Sequence, residues 1–161
     1  MRLKNYSKHL LRLALPSCVF LVSAQTSPQL AITPPEQITV KRGATATVKV
    51  TATLSSGFHL NSHTPAEDFL IPLTLKWTPA PGTVEAGEVA YPKPEIMKLP
   101  FQEKPLSVLT GKFELSTPLK APGNAGVGPT TVVGKLRYQA CNDKSCFPPK
   151  TIEVKVPVEV Q

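Results

Sequence analysis

The sequence predicts an all-β protein built as an antiparallel β-sandwich, and three observations carry that reading. Eighteen prolines in 161 residues, about twice the average usage, oppose a helix-rich fold, because each interior proline removes a hydrogen bond and clashes with the preceding turn. Apolar and polar residues alternate strictly in several stretches, the period of a half-buried strand. Turn-rich segments separate those stretches, giving seven or so short strands and no convincing helix, the pattern of a sandwich.

Residues 1–24 stand apart from that domain. Arg2, Lys4 and Lys8 precede an apolar stretch over residues 13–22, and Val22-Ser23-Ala24 places small residues before a cleavage point. This is the layout of a secretory signal peptide, cleaved after Ala24. The apolar stretch is too short to span a bilayer and contains Pro16. Leu15-Pro16-Ser17-Cys18 also resembles a lipoprotein site, but the apolar run before Cys18 is short and broken by Arg12, and a better cleavage signal lies downstream. Cys18 is therefore read as an inert residue of a discarded peptide.

Removing residues 1–24 takes away Arg2, Lys4, Lys8 and Arg12 and no acid, so the net charge falls from +7 to +3. The remaining cations are scattered, which leaves no footprint for nucleic acid. Two cysteines remain, Cys141 and Cys146, an even pair in a compartment where disulfides persist.

Residues 25–37 are polar and contain Pro28, Pro34 and Pro35, and read as a tail leading into a domain at 38–161. The first strand covers residues 44–54, with Ala46, Val48, Val50, Ala52 and Leu54 on one face and threonines and Lys49 on the other. The same period places Leu136, Tyr138 and Ala140 on one face of a late strand. A final strand turns Ile152, Val154, Val156, Val158 and Val160 inward. Pro157 cannot donate to a ladder, so the last strand is expected at a sheet edge or with that position on its unpaired side. Further strands are expected over 58–61, 71–77 and 108–115. Trp77, the only tryptophan, is expected to pack in the core or between sheets. Residues 89–105 carry four prolines yet keep Tyr91, Ile96, Met97, Leu99 and Phe101, more apolar side chains than a solvated loop needs. The segment covers either one end of the sandwich or a site.

The segment that carries chemistry is residues 138–149, where Cys141 and Cys146 flank four polar residues in the turn between the last two strands. A structural disulfide and a redox-active pair compete as explanations. Closing so short a ring removes only about 2 kcal/mol of unfolded-state entropy, and a stabilising staple more often joins distant strands. A short-range pair at a loop tip suits exchange, because the mixed disulfide formed with a partner must be resolved by a second thiol nearby. Lys144 favours a thiolate, Asp143 opposes it, and no helix N-terminus is expected there to lower the pKa. The residues favour the redox reading without excluding the structural one.

Tyr138-Gln139-Ala140-Cys141 followed by Cys146-Phe147-Pro148-Pro149 resembles the N-terminal periplasmic domain of DsbD-type thiol:disulfide interchange proteins, and Gly57-Phe58-His59-Leu60-Asn61-Ser62 with Pro65 resembles that family's upstream segment. The resemblance implies an immunoglobulin-like sandwich, an oxidoreductase component of the periplasm that takes electrons from a membrane-embedded DsbD- or CcdA-type donor. It would pass them to thioredoxin-like periplasmic proteins, in pathways such as cytochrome c biogenesis. By the same resemblance Cys146 forms the mixed disulfide and Cys141 resolves it. Phe101, Gln102 and Glu103 form a cap over the pair, and His59, Asn61, Tyr138 and Phe147 shape the site. The redox-active disulfide needs no small cofactor. Two departures stand out: four residues separate the cysteines where some relatives have five, and the sequence ends at Gln161 without a membrane domain, so electrons would arrive in trans.

Other chemistries find less support. His59 and His63 with the two cysteines would make a Cys2His2 metal set, but i and i+4 on a strand lie about 13 Å apart, so a sheet-end histidine and a loop histidine is the simpler reading. Gly123-Asn124-Ala125-Gly126 lacks the strand and helix a phosphate loop needs. No nucleophile and base are paired for hydrolysis, and Glu67-Asp68 reads as a solvated pair. The alternative from another class is a non-catalytic binding module with a structural Cys141–Cys146 disulfide.

Overall fold

The computed structural model describes residues 29–78, 82–98 and 104–161. Among them are twelve strands and no helix. These are β1 (Leu30–Ile32), β2 (Ile38–Val40), β3 (Thr45–Leu54), β4 (His59–Asn61), β5 (Thr74–Trp77) and β6 (Glu85–Ala86), then β7 (Glu95–Met97), β8 (Leu106–Leu109), β9 (Lys112–Lys120), β10 (Gly128–Tyr138), β11 (Ala140–Cys141) and β12 (Lys150–Val160). The signal-peptide reading of residues 1–24, with Cys18, lies outside the described residues.

Two four-stranded sheets, ordered β1-β3-β9-β6 and β2-β12-β10-β5, form the sandwich. Their inward residues follow the period-2 pattern: Val48, Val50, Ala52 and Leu54 of β3 face the core, as do Val132, Leu136 and Tyr138 of β10 and Val154, Val156, Val158 and Val160 of β12. Each fully buried Val or Leu contributes about 1.5–3 kcal/mol of transfer free energy, which is why the alternating faces fix the register. Trp77 joins the layers as expected. Its Nε1 donates to Thr117 Oγ1 on β9 at 3.0 Å, and its ring lies where a Cβ on Gly134 would come within 2.7 Å. Glycine at 134 is the space that the indole occupies.

Several expectations need correction. Residues 30–32, placed in a tail from sequence, form β1 and pair with β3, because Leu30 enters the core with 1% of its surface exposed. The strand expected over 108–115 is two strands, broken at Gly111, whose φ of 55° reverses the chain. Strand β9 then runs on to Lys120 through Pro118. The final strand is not at an edge over its last residues, where β2 pairs with it in parallel, the one parallel pairing among the named strands. Pro157 nonetheless meets the second expectation. Gln161 N–H donates towards β2, to Val40 O, and by strand alternation the nitrogen of residue 157 faces the same side, one position before the β2 register begins at Val158↔Ile38.

A third sheet, β11-β4-β8-β7, lies at one end of the sandwich. It contains part of the 89–105 segment: β7 pairs with β8, Ala90 bridges to Ser116, and the Tyr91 hydroxyl accepts from Leu75 N–H at 2.9 Å. Those residues are stitched to the sandwich by backbone pairing as well as by apolar contact.

Candidate functional site

The cysteines lie where β10 hands over to the third sheet. Strands β10 and β12 pair along their whole length, ending at Tyr138↔Lys150. The chain then leaves that ladder and β11 pairs with β4, Ala140 opposite Leu60 and Cys141 opposite His59. Asn142 N–H donates to Ser145 O at 2.9 Å, closing a tight turn. The Asn142 side chain reinforces it, its Oδ1 accepting from Lys144 N–H at 2.9 Å and Ser145 N–H at 2.8 Å, the local bonding that suits asparagine to turns. Cys146 returns opposite Cys141 in a β-bridge. Phe147 is tied down by its N–H to Ala140 O at 2.8 Å and by the Gln139 amide, which donates to its carbonyl at 3.1 Å.

Cys141 and Cys146 form a disulfide, with Cα atoms 3.9 Å apart. Their surroundings differ sharply. Cys141, held in the sheet, has 2% of its surface exposed, whereas Cys146 is exposed on the returning leg. An attacking or attacked sulfur must be approached in line, and only Cys146 is open to such an approach in this state.

The remaining sequence-predicted residues divide into neighbours of the pair and framework. His59 is buried and faces Cys141 across the ladder, and burial lowers its pKa from the ordinary 6.5. Phe147 packs its ring 5.7 Å from that of Phe58 at 53°, a tilted aromatic pair. Tyr138 is buried with its pKa raised by burial, and Asn61 donates from Nδ2 to Ile71 O at 3.1 Å. Both are framework at the edge of the site. Phe101, Gln102 and Glu103 lie outside the described residues. Near that segment, Lys104 pairs with Glu67 at 2.6 Å, so Glu67 is engaged rather than merely solvated.

His63 is exposed, bonded through Nδ1 to Leu73 O at 3.0 Å, and its ring stacks 3.8 Å from Tyr91. Among the described residues no three His, Cys, Asp or Glu side chains are grouped to hold a metal ion.

Beside His59 runs an open groove of about 520 Å³, whose lining includes Phe58, Met97, Thr110 and Asp143. The sequence did not single out this groove, nor the roles of Phe58 and Asn142. Asn142 had a readable signal, an asparagine opening a short polar turn. The groove had none, since it joins residues distant in sequence.

The chain matches the family described as "Thiol:disulfide interchange protein DsbD, N-terminal" over residues 29–157. Among solved structures it is similar to the N-terminal domain of Neisseria meningitidis DsbD in the reduced form, at 19% identity, covering 70% of this chain and 77% of that one with a TM-score of 0.46. It is also similar to the N-terminal periplasmic domain of ScsB from Proteus mirabilis, at 11% identity, covering 72% of this chain and 42% of that one with a TM-score of 0.52. No curated protein sequence matches the chain. The sandwich is thus of the immunoglobulin-like class. No helix among the described residues is long and apolar enough to cross a membrane.

Proposed function

Because the chain belongs to the family of DsbD N-terminal thiol:disulfide interchange domains, matched over residues 29–157, we propose that it relays electrons through Cys141 and Cys146 from a membrane-embedded reductase to thioredoxin-like periplasmic proteins. Residues 1–24 serve as its export signal. The observation that carries this reading is the asymmetry of the pair, Cys141 buried at 2% exposure and Cys146 exposed.

In the forward direction the Cys146 thiolate attacks a partner's disulfide. A Cys146–partner disulfide forms and one partner thiolate leaves, taking up a proton. Cys141 then attacks Cys146 Sγ, the intermolecular bond breaks and the second partner thiol departs. The partner has gained two electrons and this domain holds the Cys141–Cys146 disulfide. A dithiol on the membrane donor reverses the sequence and restores both thiols. His59 supports the second step, because facing residues on adjacent strands bring their Cβ atoms to about 4.5–5.5 Å and a histidine kept neutral by burial is free to accept the Cys141 proton. No bound cofactor takes part.

The test is to equilibrate the protein in glutathione buffers and to challenge Cys141→Ser with a thioredoxin-like protein. A disulfide reduced within the glutathione range and an adduct through Cys146 are expected. A pair that stays oxidised in strongly reducing buffer and traps no partner would mark the disulfide as a structural staple and sink the relay.

A further inference from the structure

The relay requires more than a reactive Cys146. When the disulfide is reduced, the covalent tie across the turn is gone, yet Cys141 must still reach Cys146 Sγ before the mixed disulfide is lost to side reactions. Cys141 stays fixed, because its strand is paired to β4. Cys146 is exposed and lies outside the named strands; it is held after its position by the Phe147 backbone bonds to Ala140 and Gln139 and before it by the turn over residues 142–145.

Resting on the relay reading, we infer that Asn142 is a positioning residue that keeps the two thiols face to face in the reduced protein. Its side-chain oxygen accepts from two successive backbone N–H groups, those of Lys144 and Ser145, and its own N–H donates to Ser145 O. Three hydrogen bonds therefore converge on one residue adjacent to Cys141 and close the chain just before Cys146. None of them involves a sulfur, so all three persist when the disulfide opens. On the side of Cys146 that the Phe147 anchors leave untied, the turn carries the closure that the S–S bond carries in the oxidised form. This is preorganisation of the resolving step: the entropy of bringing the thiols together is removed before reaction. Asp143 and Lys144 project from the same turn as exposed side chains, whereas Asn142 is the member whose side chain bonds the backbone.

Asn142→Ala deletes the acceptor and leaves the rest of the hairpin. The reduced turn then opens, and forming the disulfide must again close it. At the lower end of the usual net contribution of two neutral hydrogen bonds, the equilibrium constant for disulfide formation falls about five- to tenfold. Tenfold corresponds to about 30 mV for this two-electron couple, towards easier reduction. The rate at which Cys141 expels glutathione from a Cys146–glutathione disulfide falls by a similar factor. Asn142→Asp keeps an oxygen acceptor in place and returns the equilibrium constant to the wild-type value.

The experiment equilibrates wild type, Asn142→Ala and Asn142→Asp with reduced and oxidised glutathione, or with dithiothreitol, and quantifies the disulfide by alkylation and mass spectrometry. Amide exchange at Lys144 and Ser145 is measured in the reduced wild-type protein. Slowed exchange at those amides, a lowered constant in the alanine variant and its rescue by aspartate support the inference. Unprotected amides in the reduced wild type, or an alanine variant with an unchanged constant, overturn it. The amide measurement decides the matter even if Asn142→Ala fails to fold. Both readouts need no protein partner, so they stand apart from the trapping experiment that tests the relay.

Discussion

Removing the Phe147 ring provides a sharp test of whether the disulfide end of the molecule is a closed unit that opens locally. Phe147 directly follows the exposed Cys146, and its half-buried ring packs on Phe58, which precedes His59. Its backbone is held independently by Ala140 and Gln139, so Phe147→Ala removes the side-chain contact and leaves the hairpin bonds. A tilted aromatic pair contributes about 0.5–1.5 kcal/mol beyond area burial, which raises the fraction of locally opened molecules roughly two- to twelvefold. In the reduced protein, Cys146 reacts with iodoacetamide directly. Cys141, buried within β11, reacts through opening, and when opening and closing are fast its rate tracks the open population. The assay is competitive alkylation of the reduced protein with each cysteine quantified by mass spectrometry. Expected is a two- to twelvefold gain at Cys141 with little change at Cys146, and a smaller gain in Phe147→Leu, which keeps apolar bulk. Equal Cys141 rates in wild type and Phe147→Ala would refute the reasoning, as would a wild-type Cys141 that reacts as fast as Cys146.

Two further outcomes follow from the framework. Gly134→Ala sets a Cβ 2.7 Å from the Trp77 ring, so the indole must shift. Overpacking costs about 1–3 kcal/mol and disturbing the bond to Thr117, itself 1% exposed, adds to that, so urea unfolding should show a loss of about 2–4 kcal/mol. An unchanged midpoint would contradict the tight fit. Burial lowers the His59 pKa below 6.5, so the native state binds fewer protons than the unfolded one. The stability this represents is present above pH 6.5 and is lost as pH falls through the lowered value, at no more than about 1.4 kcal/mol per pH unit. His59→Leu should flatten that part of a stability-against-pH profile, and an identical slope in both proteins would show that another group is responsible.

The sandwich was legible because its long strands carry their burial in the sequence. β3 and β12 alternate over ten or more residues, and every inward residue from Val48 to Leu54 in β3 and from Val154 to Val160 in β12 is buried. The third sheet, the one that places the site, was legible only in part: β4 falls within the strand expected over 58–61 and the end of β8 within that expected over 108–115, but their assembly with β7 and β11 was not. Strands of two or three residues, such as β7 and β11, hold barely one period of alternation. Their pairings join His59 to Cys141 and Met97 to Leu106, contacts with no local signature. The exposed and buried roles of the two cysteines belong to that sheet as well. Their proximity followed from spacing, but which sulfur faces solvent depends on Cys141 lying in β11 and Cys146 outside the named strands.

The offset that lets the cysteines meet has a cause in the two prolines after them. In the long β10–β12 ladder, Tyr138 opposes Lys150. Continued without change, that register would set Cys141 against Phe147 and leave Cys146 one position out of phase, its side chain on the opposite face. Instead Cys141 opposes Cys146, so the returning chain holds one more residue between the two pairings than the outgoing chain does. An extra residue on one strand is a bulge, and it falls among Phe147, Pro148 and Pro149. A single proline fits a ladder when its nitrogen faces the unpaired side, as Pro157 does, but of two in succession one must face the partner strand with no N–H to give, so regular pairing is interrupted at Pro148-Pro149 and the offset is accommodated there. The same interruption leaves Cys146 on a leg outside the named strands, open to solvent, while β11 holds Cys141 in the third sheet. The Cys-Phe-Pro-Pro order thus has a geometric meaning: the prolines stop the ladder, the bulge brings the sulfurs into phase, and the asymmetry between a buried Cys141 and an exposed Cys146 follows from both.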